Sequence, residues 1–171
     1  MLSKEEKELL RKDLCARLPY GVKAKVLNED ILRYDYSSKE GGFIKGIENI
    51  NDGLFVIKCR KDGYVLSYDE FKPYLLPLSS MTEEEAKELS ILYGIKDILS
   101  INITDKYIDF KVDDGLDSIE RKTIWYNEII SSTETFDWLN KNHFDYRGLI
   151  EKGLAIDATG TDIYDEPEEL L

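Results

Sequence analysis

A run of short apolar segments limits the fold of the first half more than any other feature of the chain. Five segments rich in β-branched and aromatic residues alternate with polar turns, at residues 22–26, 31–36, 43–50, 54–59 and 64–68. Two turns contain an Asp-Gly pair, which suits tight hairpins because glycine accepts positive φ. Short strands joined by short turns favour antiparallel pairing. We therefore predict a small antiparallel barrel of the SH3-like kind, or a strongly curled sheet.

A helix is predicted before these strands. Ser3 followed by Glu6 forms a capping box, the usual signature of a helix start. Pro19 and Gly21 predict the end of this helix, since neither residue continues one well. Its predicted apolar face consists of leucines at helical spacing, namely Leu9, Leu10, Leu14 and Leu18.

The second half combines helices with one hairpin, which makes the predicted fold class α+β. A hydroxyl residue within 79–82 caps a second helix, and Gly94 ends it. Apolar and polar residues alternate within 98–104 and again within 107–112, and a short turn separates the two runs. This pattern predicts the clearest hairpin of the chain.

The patterns that follow the hairpin are less uniform. Residues 119–130 fit a strand or a helix, because they are rich in β-branched and aromatic types without one clear period. Ser131 with Glu134 predicts a second capping box at the start of another helix. A short helix is predicted at 146–152, closed by Gly153.

The best candidate boundary is the proline-containing segment 73–80, which reads as a connector. It separates a helix plus barrel-like region at 1–80 from an acidic α+β region at 81–171. A chain of 171 residues is the size of one ordinary domain, so we expect both regions to form one compact unit.

Charge is unevenly divided between these regions. Residues 1–80 carry 14 Lys or Arg and 13 Asp or Glu, a net of +1, whereas residues 81–171 carry 9 and 22, a net of −13. Binding along a nucleic-acid backbone needs a basic stripe, so we expect no direct nucleic-acid binding. Attachment to anionic membranes is disfavoured for the same reason. The acidic half leaves open a nucleic-acid mimic that binds a basic protein.

The two cysteines and the N-terminus indicate the compartment. Cys15 and Cys59 lie far apart and form no CxxC pair, so we expect reduced, at least partly buried thiols. No apolar run has the length of a signal peptide or a membrane span. The sequence therefore favours a cytoplasmic protein.

No motif of a known catalytic, metal or cofactor site occurs, so no catalytic residue, metal ligand or cofactor is assigned. The only histidine, His143, is either a helix cap or a general base oriented by Asp137 or Asp145. The dense acids between residues 105 and 120 do not match a calcium loop and are read as solvated strand ends. An enzyme with an unfamiliar site near Cys15, Asp145 and His143 stays open as an alternative.

Three segments, at residues 13–23, 72–85 and 136–158, cover 48 of the 171 residues and carry a resemblance. The chain resembles a group of uncharacterised proteins from gut Bacteroidetes that are frequent in prophages and other mobile elements. The resemblance implies a bacterial cytoplasm and a phage origin, and it carries over no active site.

These observations lead to a hypothesis of an interaction module that binds a host or phage protein. Tyr and Arg are residue types that anchor interfaces, and segment 138–158 combines them with apolar residues. We expect its apolar residues to fix two short helices to the domain. The predicted contact patch consists of Asn142, His143, Tyr146 and Arg147.

Overall fold

The structure is a computed structural model that describes residues 1–27, 42–48, 54–59, 62–115 and 118–164. The predicted strand at 31–36 lies outside these residues. The chain forms two compact units, one of Met1–Leu75 with Arg147–Leu171 and one of Leu76–Tyr146. It therefore leaves the first unit within the segment 73–80 and returns to it at Arg147.

The described elements confirm the predicted α+β class. The helices are α1 (Lys4–Arg17), α2 (Glu83–Leu92) and α3 (Thr133–Lys141). The strands are β1 (Lys23–Val26), β2 (Gly42–Glu48), β3 (Leu54–Cys59), β4 (Asp62–Ser67), β5 (Phe71–Leu75), β6 (Ile98–Ile103), β7 (Tyr107–Asp113), β8 (Ile119–Trp125) and β9 (Ile156–Asp157).

Helix α1 begins with the predicted capping box. The Ser3 hydroxyl accepts a hydrogen bond from the Glu6 amide at 3.2 Å, and the Glu6 carboxylate accepts one from the Ser3 amide at 2.7 Å. These two bonds satisfy amides that the first helical turn leaves without a partner. After α1 a short 3-10 helix, Leu18–Tyr20, ends at Gly21, whose φ of 68° is a conformation that glycine adopts without strain.

The first unit is built on one sheet with the strand order β4-β3-β2-β1-β5-β9. Neighbouring strands are antiparallel, as predicted, except that β5 and β9 run parallel. Because β4 and β9 lie at opposite ends of this order, the described sheet is open rather than a closed barrel. Leu10 and Leu14 of α1 pack in its buried core, together with Val22, Ala24, Val26, Leu66, Phe71, Leu75 and Leu154.

The prediction of a connector beginning at Pro73 is wrong, because Pro73 lies inside strand β5, opposite Ala24 of β1. Proline has no amide hydrogen and is normally confined to edge strands. On the other side of β5, pairing with β9 starts only at Tyr74, opposite Ile156. The strand therefore behaves as an edge at Pro73, and the missing amide is tolerated there.

The second unit contains the three-stranded antiparallel sheet β6-β7-β8, and its first two strands confirm the predicted hairpin. The ambiguous residues 119–130 begin as strand β8 and continue as a 3-10 helix, Tyr126–Glu128. Thr82 caps α2, as one of the three predicted hydroxyl residues. The buried core joins the sheet to α2 and α3 and contains Ala86, Leu89, Ile108, Phe110, Val112, Ile124, Leu139 and Phe144.

Two predictions beside α3 need correction. The cap of α3 is Ser132, whose hydroxyl accepts from the Thr135 amide at 3.1 Å, and not Ser131. Adjacent serines are equivalent cap candidates, so the spacing to Glu134 selected the wrong one. Residues 146–152 form turns rather than a helix, and Gly148 there has a φ of 67°, which interrupts a right-handed helix.

Candidate functional site

The four residues of the predicted contact patch fall into both units. Asn142, His143 and Tyr146 belong to the second unit and Arg147 to the first. The Asn142 side-chain amide donates to the Trp138 carbonyl at 2.9 Å. Tyr146 donates its hydroxyl to Asn140 Oδ1 at 2.8 Å. Both side chains are half-buried and hold the end of α3 in place.

His143 follows the end of α3 in a left-handed conformation, with a φ of 58°, and is buried. Such a residue directly after a helix terminates it. The His143 amide donates to Asn140 and its carbonyl accepts from Leu76 at 3.0 Å, so the backbone of this residue connects two segments of the second unit. Cys15, another member of the predicted enzyme alternative, lies in the first unit on α1. It is exposed, and the expectation of burial is wrong for this thiol.

Arg147 is held by a carboxylate that the sequence did not suggest. Its Nε lies 3.4 Å from Asp13 Oδ1, which links the C-terminal part of the first unit to α1. Asp13 also receives two hydrogen bonds from Arg17, at 2.7 Å and 3.1 Å, and both of these side chains are fully buried. Arg147 is therefore tied into a buried charged cluster.

Two of the acids between residues 105 and 120 stabilise the turn after β7. Asp113 accepts from the Gly115 amide at 2.9 Å, and Asp114 accepts from the Ser118 amide at 3.2 Å. Within the described residues, no group of His, Cys, Asp and Glu side chains is arranged to hold a metal ion.

The sequence analysis missed an exposed surface on the three-stranded sheet. Ile108, Phe110 and Val112 of β7 point into the core, so the alternate residues point the other way. The strand register sets these alternate residues opposite partners on β8. We call this surface the outer face, and it consists of Tyr107, Asp109, Lys111, Asp113, Ile119, Arg121, Thr123 and Trp125.

One end of the outer face carries an aromatic pair. Tyr107 and Trp125 are directly opposite each other, with ring centroids 4.9 Å apart and planes at 63°. Trp125 remains 47% exposed. Buried tyrosine and tryptophan usually find hydrogen-bond partners for their polar atoms. In the part of the chain that the structure describes, neither the Tyr107 hydroxyl nor the Trp125 indole N–H has such a partner.

The middle of the outer face is organised by Asp109. This carboxylate accepts a 2.6 Å hydrogen bond from the Thr123 hydroxyl, and its other oxygen lies 3.8 Å from Arg121 Nε. The side chain of Asp109 is only 11% exposed, whereas that of Arg121 is 66% exposed. Asp109 therefore forms an ion pair with a cation that remains accessible to solvent.

The outer face, rather than the edge of β8, is the more accessible contact surface. Glu120 and Lys122 occupy the positions of β8 that face the core side of the sheet, and their charged groups are 2.8 Å apart. Charged residues at inward positions of an edge strand discourage another strand from pairing with it. Pairing of a further strand with the edge of β8 is therefore disfavoured.

A hollow of about 330 Å³ lies at the start of α3 and is lined by Ile130, Ser131, Ser132, Thr133 and Phe136. The hydroxyls of Ser131 and Ser132 each lie 3.2 Å from Thr135 Oγ1. Two of the hydroxyls that line the hollow therefore already have partners within the chain.

Comparisons with protein-family models, with curated proteins and with solved structures find no match. In the described ranges, no helix combines the length and apolar character needed to cross a membrane.

Proposed function

We propose that this chain is a cytoplasmic protein-interaction module, encoded by a phage or another mobile element, that binds a host or phage protein through the outer face. One observation supports the choice of surface above the others. The half-buried Tyr107 and the exposed Trp125 share this face with an exposed arginine, and Trp, Tyr and Arg are the residue types that contribute most to binding at protein interfaces.

The charge of the second unit favours a protein over a nucleic acid as the ligand. Residues 76–146 carry 7 Lys or Arg and 15 Asp or Glu, a net of −8. A sheet face with aromatic residues is a common platform for single-stranded nucleic acid, but that binding also needs a positively charged groove. The face that carries the aromatic pair has two cations, Lys111 and Arg121, next to two carboxylates, Asp109 and Asp113, so it is not a continuous positively charged groove.

The predicted patch of Asn142, His143, Tyr146 and Arg147 remains a competing location for the contact. It is the weaker candidate, because His143 is buried and the other three side chains make the contacts with the chain described above. Among the described residues, the polar atoms of Tyr107 and Trp125 have no comparable hydrogen-bond partner.

The deciding experiment combines affinity capture with site-directed crosslinking. A variant with the photoreactive residue benzoylphenylalanine in place of Trp125 is incubated with lysate of a Bacteroidetes host, and crosslinked proteins are identified by mass spectrometry. The captured protein is then purified and its affinity measured for wild type, for Trp125→Ser and for the double variant Tyr146→Ala, Arg147→Ala.

We expect Trp125→Ser to weaken binding by about 30-fold or more, the effect of losing a hot-spot residue, with an unchanged melting temperature. The double variant is the matched control and should bind like wild type. Equal binding by Trp125→Ser would remove the outer face from consideration. Loss of binding by the double variant alone, at an unchanged melting temperature, would transfer the site to the predicted patch, since Arg147 and Tyr146 also make structural contacts.

A further inference from the structure

We infer that the partner binds the outer face through an extended acidic segment, with a carboxylate on Arg121 and Lys111 and an apolar side chain on the Tyr107–Trp125 pair. This inference rests on the proposed function, since it names the chemistry of the partner at the same surface.

The first support comes from two cations that face each other. Lys111 of β7 lies directly opposite Arg121 of β8, and both are exposed. Like charges directly opposite each other on a sheet are destabilising. This pair occurs in a unit with a net charge of −8, where opposite charges are abundant. A bound carboxylate would relieve the repulsion between the two cations.

The second support is that the acids of this surface already have internal partners. Asp109 accepts from Thr123, and Asp113 accepts from the Gly115 amide. Among the described residues, no ion pair is formed by Lys111. The separation of 3.8 Å between Arg121 Nε and Asp109 is an ion pair but too long for a hydrogen bond. The guanidinium donors of Arg121 are therefore available, and their fork geometry matches a carboxylate.

The third support is the spacing between the charged and aromatic parts. The Arg121 guanidinium lies next to the side chain of Asp109. On β7, Asp109 is two residues from Tyr107 and on the same face of the sheet. Alternate residues on one face of a strand are about 6.7 Å apart. An extended peptide repeats its side chains at the same interval. The partner segment should therefore carry an apolar residue and an Asp or Glu two positions apart.

The probe for this inference is a library of random heptapeptides fused to a carrier protein and selected against the full chain. We expect enriched peptides to contain Asp or Glu two positions from an aromatic or aliphatic residue. Arg121→Glu should weaken the binding of a selected peptide by about tenfold or more, since hydrogen bonds to charged groups are among the stronger ones. Added salt should weaken binding to wild type.

The matched control is Lys122→Glu, which makes the same change in net charge at the neighbouring residue on the opposite side of β8. It should bind the selected peptides like wild type, and both variants should keep the wild-type melting temperature within a few degrees. As a complement, Arg121→Glu should gain affinity for peptides in which Lys replaces the acid.

The outcomes separate this inference from the proposed function. Enriched peptides that lack the acid, peptides that bind Arg121→Glu as well as wild type, or the absence of any binding peptide would each overturn the acidic segment. A dimer of wild type in light scattering that Trp125→Ser converts to monomer would also overturn it, in favour of a second copy. In the first two cases, a partner crosslinked at position 125 and lost in Trp125→Ser would still support the proposed function.

Discussion

Two Asp–Arg pairs show how the same chemistry serves different purposes in the two units. In the first unit, Arg17 donates two hydrogen bonds to Asp13, and both side chains are 0% exposed. In the second unit, Arg121 lies 3.8 Å from Asp109 and is mostly exposed. Neither charge of the buried pair is hydrated, so each is stabilised mainly by the other. The buried pair is therefore a structural component of the first unit. The exposed pair leaves its arginine available for binding.

The largest expected effect is that of Arg17→Met. Removing one partner of a buried ion pair leaves a buried charge that is poorly compensated, which typically costs about 3–5 kcal/mol. We expect the lower end of this range, about 3 kcal/mol, because Arg147 stays close to Asp13. Urea unfolding of the variant measures the loss. A loss below about 1 kcal/mol would mean that the buried pair contributes no more than a surface pair.

A second prediction concerns Tyr164, which belongs to the first unit. Its hydroxyl donates to the Tyr74 carbonyl at 2.6 Å and accepts from the Lys23 amide at 3.4 Å. Tyr164→Phe should lower the free energy of unfolding near neutral pH by about 1 kcal/mol, the usual contribution of a hydrogen bond.

The effect of Tyr164 should depend on pH. Burial raises the pKa of the Tyr164 hydroxyl above its ordinary value. Above about pH 10 the unfolded tyrosine ionises while the folded one stays neutral, so wild type loses stability that the Phe variant retains. Urea unfolding between pH 8 and pH 11 should show the advantage of wild type shrinking as the pH rises. A constant difference across this range would contradict the raised pKa.

The third prediction tests whether Asp109 competes with a partner for Arg121. Asp109→Asn keeps an oxygen that can accept from Thr123 and removes the negative charge beside the guanidinium. We expect a loss of stability of about 1 kcal/mol or less and tighter binding of acidic peptides selected on the outer face. Weaker binding of these peptides would show that Asp109 positions Arg121 more than it neutralises it.

The smallest effect on stability is expected for Arg121→Met. An exposed ion pair contributes about 0–1 kcal/mol, and removing Arg121 also relieves its repulsion of Lys111. The free energy of unfolding should therefore stay within about 0.5 kcal/mol of wild type. A loss as large as that of Arg17→Met would contradict the distinction between the two pairs.

Local features of the fold could be predicted because their causes lie within a few residues. The capping box at Ser3, a hydroxyl cap at the start of α2 and the hairpin of β6 and β7 are of this kind. The strand character of β5 could not be predicted, because Pro73 is acceptable there only where pairing with the distant β9 has not yet begun.

The outer face was missed for a related reason. It consists of alternate residues on two strands, so it appears in the sequence only after both strands and their register are assigned. Residues 119–130 allowed a helix as well as a strand, and Trp125 could not be placed opposite Tyr107. Similarly, the pairing of Arg147 with Asp13 joins residues that are far apart in the chain, for which no sequence pattern gives a signal.

The return of the chain to the first unit has a consequence for its synthesis on the ribosome. The second unit is one continuous stretch, so it can fold as soon as that stretch has left the exit tunnel. The first unit cannot complete its fold until its C-terminal part has been synthesised. That part supplies β9, the Ala158 amide that donates to the Leu75 carbonyl at 2.8 Å, and Tyr164. The unit that is translated first is therefore the one that is completed last.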